Sequence, residues 1–288
     1  MPELPEVEHV RQSLEVLLKG QTVERVEVKL ARIIRYPDVV EFCDRMAGKQ
    51  VRHVGRRGKY LLIEWDDDEV LVSHLRMEGR YGIAESGTPV EPHTHVIFYL
   101  KNGQELRYRD VRQFGTMDLL KQNELSRLEG LYTLGPEPLE DGFHANYLLQ
   151  AIKGRKAPIK AVLLDQRVIA GLGNIYVDEA LFRAGVHPER LAGKLVRKEV
   201  ARLVDLIREV IGEAVEAGGS SVKSYVNGFG EPGNFQTSLR VYGRAGEPCL
   251  QCGKAIVKGR VAGRGTHVCL HCQPAPRGAA IRGRGLKR

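Results

Sequence analysis

A chain of 288 residues with 42% hydrophobic side chains can bury a substantial core, which excludes disordered and fibrous classes. The net charge of +8 is unevenly spread: from Arg240 onward eleven Lys and Arg face Glu247 alone, whereas residues 1–239 hold 33 basic against 35 acidic side chains. No run reaches the roughly 18 apolar residues of a membrane span, and five cysteines, four of them clustered, fit a reducing compartment better than a disulfide framework. A soluble, cytoplasmic protein is expected, with the basic C-terminal region as a footprint for a phosphate backbone.

In chain order, Val7, Val10, Leu14, Leu17 and Leu18 recur at helical spacing from Pro5, and Gly20 can end that helix in the left-handed region. Residues 22–30 are rich in strand formers. Asp38 can cap a short second helix that carries Val39, Cys43 and Met46 and stops at Gly48, with Cys43 expected as a buried apolar residue. From 51 to about 120 the pattern is strands: Tyr60 to Trp65 and Val70 to Leu75 flank an acidic turn, and His95 to Leu100 and Glu105 to Tyr108 flank Asn102-Gly103. An antiparallel β-sandwich flanked by helices follows for the N-terminal part of an α+β protein.

The Pro, Gly and acid-rich stretch from Leu134 to Gly142 fits a linker. Beyond it the period turns helical. Helices are predicted over 145–153, 158–168, 174–184 and 198–217, broken by Gly154, Gly171-Leu-Gly173 and Gly218-Gly219. The last sixteen residues lack an apolar cluster and are expected to be disordered.

Cys249-Leu-Gln-Cys252 and Cys269-Leu-His-Cys272 have the spacing of a four-thiolate tetrahedral zinc site, one zinc per chain. Four thiolates leave no open position, so the metal is structural, and His271 between two of them is a bystander. At the other end, removal of Met1 would expose Pro2 as a secondary amine near pKa ~8, able to attack an electrophilic carbon. Glu3 and Glu6 stand beside it for proton transfer and charge stabilisation. Proline and acids at a helix start are also ordinary capping signals. Gly55-Arg-Arg-Gly-Lys59, Ser73-His74-Leu-Arg76-Met77-Glu78-Gly79-Arg80 and Arg109-Asp-Val-Arg112-Gln-Phe114-Gly115 combine basic groups with long apolar side chains near strand ends, the composition of wedges that open a base step. Core packing is the alternative for each apolar residue. His93-Thr-His95 reads as strand, not as a second metal site.

Taken together, MPELPEVE, GRRGKYL, SHLRMEGR, RDVRQFGT, LGPEPL, GLGNIYVDEALF, GGSS, and VYGR followed by the cysteines and GRGTH resemble the bacterial formamidopyrimidine-DNA glycosylase family, colinearly over residues 1–272. That resemblance implies a catalytic β-sandwich domain over 1–133, a linker over 134–144, a helix–two-turn–helix domain with a lesion-capping loop over 145–239, a zinc finger over 240–272 and a basic disordered tail over 273–288. It implies a nucleoid-associated monomer that binds damaged double-stranded DNA, with no membrane partner. The implied activity is excision of 8-oxoguanine and formamidopyrimidines through an N-terminal proline Schiff base, followed by β,δ-elimination.

By the same resemblance Pro2 is the nucleophile, Glu3 the proton donor and Glu6 its supporting carboxylate. Lys59 would assist β-elimination and Arg264 δ-elimination. His74, His93, Asn174, Tyr242, Lys258 and Arg264 would contact the DNA backbone, while Met77, Arg112 and Phe114 would enter the duplex. Ser220, Val222, Lys223, Ser224 and Tyr225 would form the loop over the everted base. Lys223 stands where many members have arginine, and Val268 where an aromatic is usual. The related endonuclease VIII branch, which prefers oxidised pyrimidines, fits less well because its members begin closer to Pro-Glu-Gly-Pro and lack this wedge. A zinc-dependent DNA-binding protein without catalysis would have no use for Pro2, Glu3 and Lys59 together.

Overall fold

The computed structural model describes residues 1–221 and 225–281; Val222, Lys223 and Ser224 and residues 282–288 lie outside the described residues. The chain divides into two compact units, residues 1–133 with 215–236, and residues 134–214 with 237–288. The segment 215–236, assigned by the sequence pattern to the helical part, thus belongs with the first unit.

The first unit opens with α1 (Leu4–Leu18), started by Pro5 and stopped by Gly20 at φ +78°. Two sheets follow. One holds β1 (Val23–Val28), β7 (Thr94–Leu100), β8 (Gln104–Arg109) and β6 (Arg80–Glu85) in that spatial order. The other orders β2 (Ile34–Tyr36), β9 (Thr116–Lys121), β5 (Glu69–His74), β4 (Tyr60–Trp65) and β3 (Val51–Arg57). Pairing is antiparallel except between β2 and β9. Inward side chains of both sheets, such as Phe98, Leu106, Leu61 and Leu119, share one core with Val10 and Leu14 of α1. Burying such side chains stabilises the sandwich by about 1.5–3 kcal/mol each relative to exposure.

Helix α2 (Val39–Met46) is capped as expected, the Asp38 carboxylate accepting from the N–H groups of Val40 and Glu41. Phe42 and Met46 are its buried residues, while Cys43 is only half-buried, because the core-facing stripe of so short a helix falls on those two positions. One turn of helix, α3 (Glu129–Tyr132), closes the segment before Leu134.

The second unit holds α4 (Ala145–Ile152), α5 (Ile159–Leu163), α6 (Asn174–Ala184) and most of α7 (Arg197–Glu216). The helix predicted over 158–168 stops at Leu163. Asp165 and Gln166 end it: the Asp165 carboxylate accepts from the Arg167 N–H, while the Gln166 amide donates to the Leu164 and Leu172 carbonyls and accepts from the Gly171 N–H. A two-stranded hairpin, β10 (Val257–Val261) and β11 (Arg264–Val268), turns through Ala262 and Gly263, both at positive φ as a two-residue turn requires. Residues 273–281, expected to be disordered, are held instead. The Ala280 and Ile281 N–H groups donate to the two carboxylate oxygens of Glu189, and Ile281 is buried with Val261 and Val268.

Candidate active site and nucleic-acid interface

Pro2 and Glu3 lie buried at the start of α1. Glu6, one turn on, places one oxygen 2.7 Å from the Glu3 N–H and the other 2.7 Å from the Ser220 N–H. A carboxylate accepting on both oxygens fixes two segments 214 residues apart in sequence. The Tyr225 hydroxyl adds a 2.6 Å bond to the Glu6 carbonyl, and burial pushes that phenol well above the ordinary tyrosine range, so it stays a neutral donor. The close approach depends on Gly219. It sits at φ +80°, and a Cβ there would lie 2.9 Å from the Glu6 side chain. The predicted loop residues Ser220 and Tyr225 are therefore brought to the N-terminal segment, whereas Val222, Lys223 and Ser224 fall outside the described residues.

Lys59 is buried and follows Gly58, which turns β3 into β4 at φ +57°. His74 ends the neighbouring strand, its ring 4.6 Å from that of Tyr60. Burial, reinforced by the positive charges of Arg76, Lys59 and Arg35, pushes the His74 imidazole down to about 3. Its Nδ1 accepts from the Arg76 N–H at 3.0 Å, which leaves the proton of the neutral ring on Nε2 as a donor. Neutral histidine beside lysine forms a donor pair suited to an anion.

The wedge residues sit on two loops. Met77 is half-buried in the turn after β5, while Phe114 is 53% exposed with the Arg112 guanidinium 5.0 Å from its ring. An aromatic held out in solvent under a cation is not core, so the packing alternative fails for Phe114. Asp110, which sequence reasoning missed, builds this loop. Wholly buried, it accepts from the N–H groups of Arg112, Phe114 and Gly115 at 2.8–3.0 Å. Its own N–H donates to the carbonyl of His93, an exposed residue at φ +66° just before β7, and its carbonyl meets His95 Nε2. The signal was an Asp at a strand end followed by N–H groups in need of an acceptor. Gly79 and Gly115 flank the buried Tyr108 hydroxyl, which a Cβ at either would approach within 2.3 and 1.6 Å, so both loops close on one side chain.

In the second unit the predicted contacts gather on the zinc hairpin. Lys258 and Arg264 are exposed on it, and Asn174, at the start of α6, donates its side-chain amide to the Gly265 carbonyl at 2.9 Å. The Tyr242 ring lies 4.9 Å from that of His267. Two buried polar groups that the sequence did not reveal hold this arrangement. Lys160, fully buried, donates to Asp178 at 2.6 Å, to the Gly265 carbonyl at 3.0 Å and to the Thr266 hydroxyl at 2.9 Å. Glu179 accepts from the N–H groups of Arg240, Val241 and Tyr242; burial raises its pKa and those three bonds oppose the rise.

The four cysteine sulfurs lie within 4.8 Å of one another, with Cys249 to Cys272 at 3.9 Å and Cys252 to Cys269 at 3.5 Å. Tetrahedral zinc with Zn–S bonds of about 2.3 Å requires edges of about 3.8 Å, so the set fits the metal. Among the described residues it is the only such group, and His271 is exposed outside it. No helix among the described residues is long and apolar enough to cross a membrane.

Three family descriptions match in order: the formamidopyrimidine-DNA glycosylase N-terminal domain over residues 1–117, its H2TH domain over 134–226, and the zinc finger found in FPG and IleRS over 246–275. Formamidopyrimidine-DNA glycosylases of Brevibacillus brevis and Cytobacillus firmus are 55% and 54% identical over 259 residues, 90% of this chain and 94% of each relative. Among solved structures, the complex of Lactococcus lactis Fpg with abasic-site DNA is similar at a TM-score of 0.90 and 40% identity, over 95% of this chain and all of that one. The complex of the wild-type Lactococcus lactis enzyme with DNA containing N7-benzyl-Fapy-dG is similar at the same TM-score of 0.90 and 40% identity, with the same coverage of 95% and 100%. With matching domains in order and identity above half along nine-tenths of its length, the chain belongs to the formamidopyrimidine-DNA glycosylase family, and its four cysteines hold that family's structural zinc.

Proposed function

We propose that the protein removes oxidised purines, 8-oxoguanine and formamidopyrimidines, from duplex DNA and then cleaves the abasic strand by β,δ-elimination, in the nucleoid of the cytoplasm. The observation that supports this reading best is the N-terminal segment: Pro2 and Glu3 buried at a helix start, with Glu6 tying the Glu3 N–H to the glycine-rich 218–220 loop. A phosphate-binding protein gains nothing from burying an N-terminal imino acid.

With Met1 removed, the Pro2 nitrogen attacks the anomeric carbon, the C–N bond to the base breaks, and the base leaves with a proton supplied by Glu3. Glu6 acts as a positioning residue. The Pro2 nitrogen then loses its proton, and its lone pair breaks the C1′–O4′ bond, O4′ leaving as a hydroxyl and C1′ becoming an iminium; the iminium acidifies the C2′ hydrogen, whose loss expels the 3′-phosphate, and a second elimination expels the 5′-phosphate. Lys59 serves the first elimination and Arg264 the second, each by placing a cation at the departing phosphate. His74, His93, Asn174, Tyr242 and Lys258 hold the backbone, and Met77, Arg112 and Phe114 fill the gap left by the everted nucleotide, with Arg112 facing the orphaned base. Ser220 and Tyr225, with Val222, Lys223 and Ser224, cover the base. Zinc, with all four positions taken by thiolates, supplies no chemistry and organises the hairpin.

The test is base release from duplexes carrying 8-oxoguanine opposite cytosine, thymine glycol, or no lesion. Fast release of 8-oxoguanine with strand cleavage is expected. Preference for thymine glycol would favour the endonuclease VIII reading, and tight binding without release would make the chain a non-catalytic binder.

A further inference from the structure

One face of α1 carries a polar stripe at helical spacing, Glu6, His9 and Ser13, and each member meets a glycine of the 218–231 segment. A Cβ on Gly219 would lie 2.9 Å from the Glu6 side chain, one on Gly218 2.8 Å from the His9 ring, and one on Gly228 2.9 Å from the Ser13 hydroxyl. The segment lacks side chains where the helix fills the space. Hydrogen bonds follow the same pairing. Glu6 holds Ser220 and Tyr225, His9 Nε2 lies 3.0 Å from the Asn227 amide, and the Ser13 hydroxyl accepts from the Gly228 N–H at 2.8 Å.

The direction of the His9 bond is fixed by its partner. The side-chain oxygen of Asn227 accepts from the N–H groups of Phe229 and Glu231, both at 2.9 Å, so its amide nitrogen is the atom that faces the ring and the Glu231 carboxylate. Two donors cannot bond, so His9 Nε2 accepts and the ring proton sits on Nδ1. That Nδ1 is buried with no hydrogen-bond partner among the described residues. Stability alone would favour a side chain without the unmet donor. What the imidazole supplies is an acceptor at one spot, on the far side of a segment whose near side Glu6 holds. Ser13 repeats the arrangement one turn on: its hydroxyl donates to the Val10 carbonyl, which leaves the oxygen to accept from Gly228.

We propose that His9 and Ser13 are positioning residues for base release: through Asn227 and Gly228 they fix the downstream side of the segment that holds Tyr225, while Glu6 fixes the upstream side at Ser220. The inference rests on the reading of Ser220 and Tyr225 as groups over the everted base. Held from both sides, those groups keep the base seated while its bond to the sugar breaks. Cleavage at a preformed abasic site has no base to seat and does not need them.

The experiment compares single-turnover release of 8-oxoguanine with strand cleavage at a preformed abasic site, both at saturating full-length enzyme, for wild type, His9→Leu, His9→Gln and Ser13→Ala. Thermal unfolding is the fold control. His9→Leu and Ser13→Ala should each slow base release about ten-fold, the scale of a buried donor left unpaired, with abasic-site cleavage within about two-fold of wild type. Glutamine presents an acceptor where Nε2 lies, so His9→Gln should recover most of the rate. Equal loss on the two substrates would mark a general disturbance of the N-terminal segment and overturn the proposal, as would unchanged base release. If His9→Leu and His9→Gln fall alike, the acceptor role is overturned. A wild-type enzyme that cleaves abasic DNA without releasing 8-oxoguanine is a separate result, which removes the underlying reading instead.

Discussion

Lys160→Met isolates the physical link between the helical unit and its zinc hairpin without touching any group placed on DNA. The ammonium is fully buried against Asp178, the Gly265 carbonyl and the Thr266 hydroxyl. Methionine conserves the stem but removes the charge. Gly265 would keep the Asn174 amide, and Thr266 its own bond to the Arg264 carbonyl, so the loss falls mainly on Asp178, left 1% exposed with the His267 N–H. A buried carboxylate stripped of its cation in this way costs about 3–5 kcal/mol, about two to four decades in the docking equilibrium of the hairpin. Urea unfolding should show that loss, and hydrogen exchange at residues 257–268 should accelerate by a comparable factor. DNA affinity should fall while zinc content holds, since the sulfur set is separate from the pair. Lys160→Met with Asp178→Leu should recover most of the stability. A cost below about 1 kcal/mol, or unchanged exchange in the hairpin, would refute the docking role.

Three further outcomes follow from the first unit. His74 titrates near 3 when folded and near 6.5 when unfolded, so the unfolded chain binds the extra proton between those values; its contribution is complete above pH 6.5 and declines as pH falls toward 3. At pH 5 the decline amounts to about 2 kcal/mol, and unfolding of His74→Gln at pH 5 and 7.5 should lack that part of the acid sensitivity; an identical pH dependence counts against a buried neutral ring. Asp110→Ala removes the acceptor of three loop N–H groups, worth about 1–3 kcal/mol each where burial persists, and should blunt discrimination between bases opposite the lesion while duplex affinity falls little; intact discrimination would separate the loop from opposite-base reading. Glu3→Gln should retain lesion binding and lose about two or more decades in base excision, and near-normal excision would remove Glu3 from proton transfer.

Local chemistry made much of this legible. Runs of strand-forming residues on either side of Asn102-Gly103 pointed to β7 and β8, the Asp38 cap to α2, and paired cysteines to the metal set, because each signal lies within a few residues. The buried polar anchors escaped notice. Lys160 reads as a surface position of a helix until Thr266, 106 residues on, supplies a partner. Glu179 and Asp110 likewise gain meaning only from backbone N–H groups that the fold turns toward them. Glu6 was named as a support for Glu3, yet its grip on Ser220 across 214 residues depends on a glycine conformation at 219 that periodicity does not report. The same holds for Ile281, buried against Gly259, where a Cβ would fall 2.5 Å from its Cγ1.

All of the proposed chemistry depends on the Pro2 nitrogen acting from its buried place beside Glu3 and Glu6. Borohydride reduction during turnover on an 8-oxoguanine duplex, followed by proteolysis and mass mapping of the cross-linked peptide, reads that nitrogen without intermediaries. A single adduct on the nitrogen of Pro2, in a chain that has lost Met1, is expected; an adduct on Lys59 or any other lysine, or no adduct while strand cleavage proceeds, would contradict it.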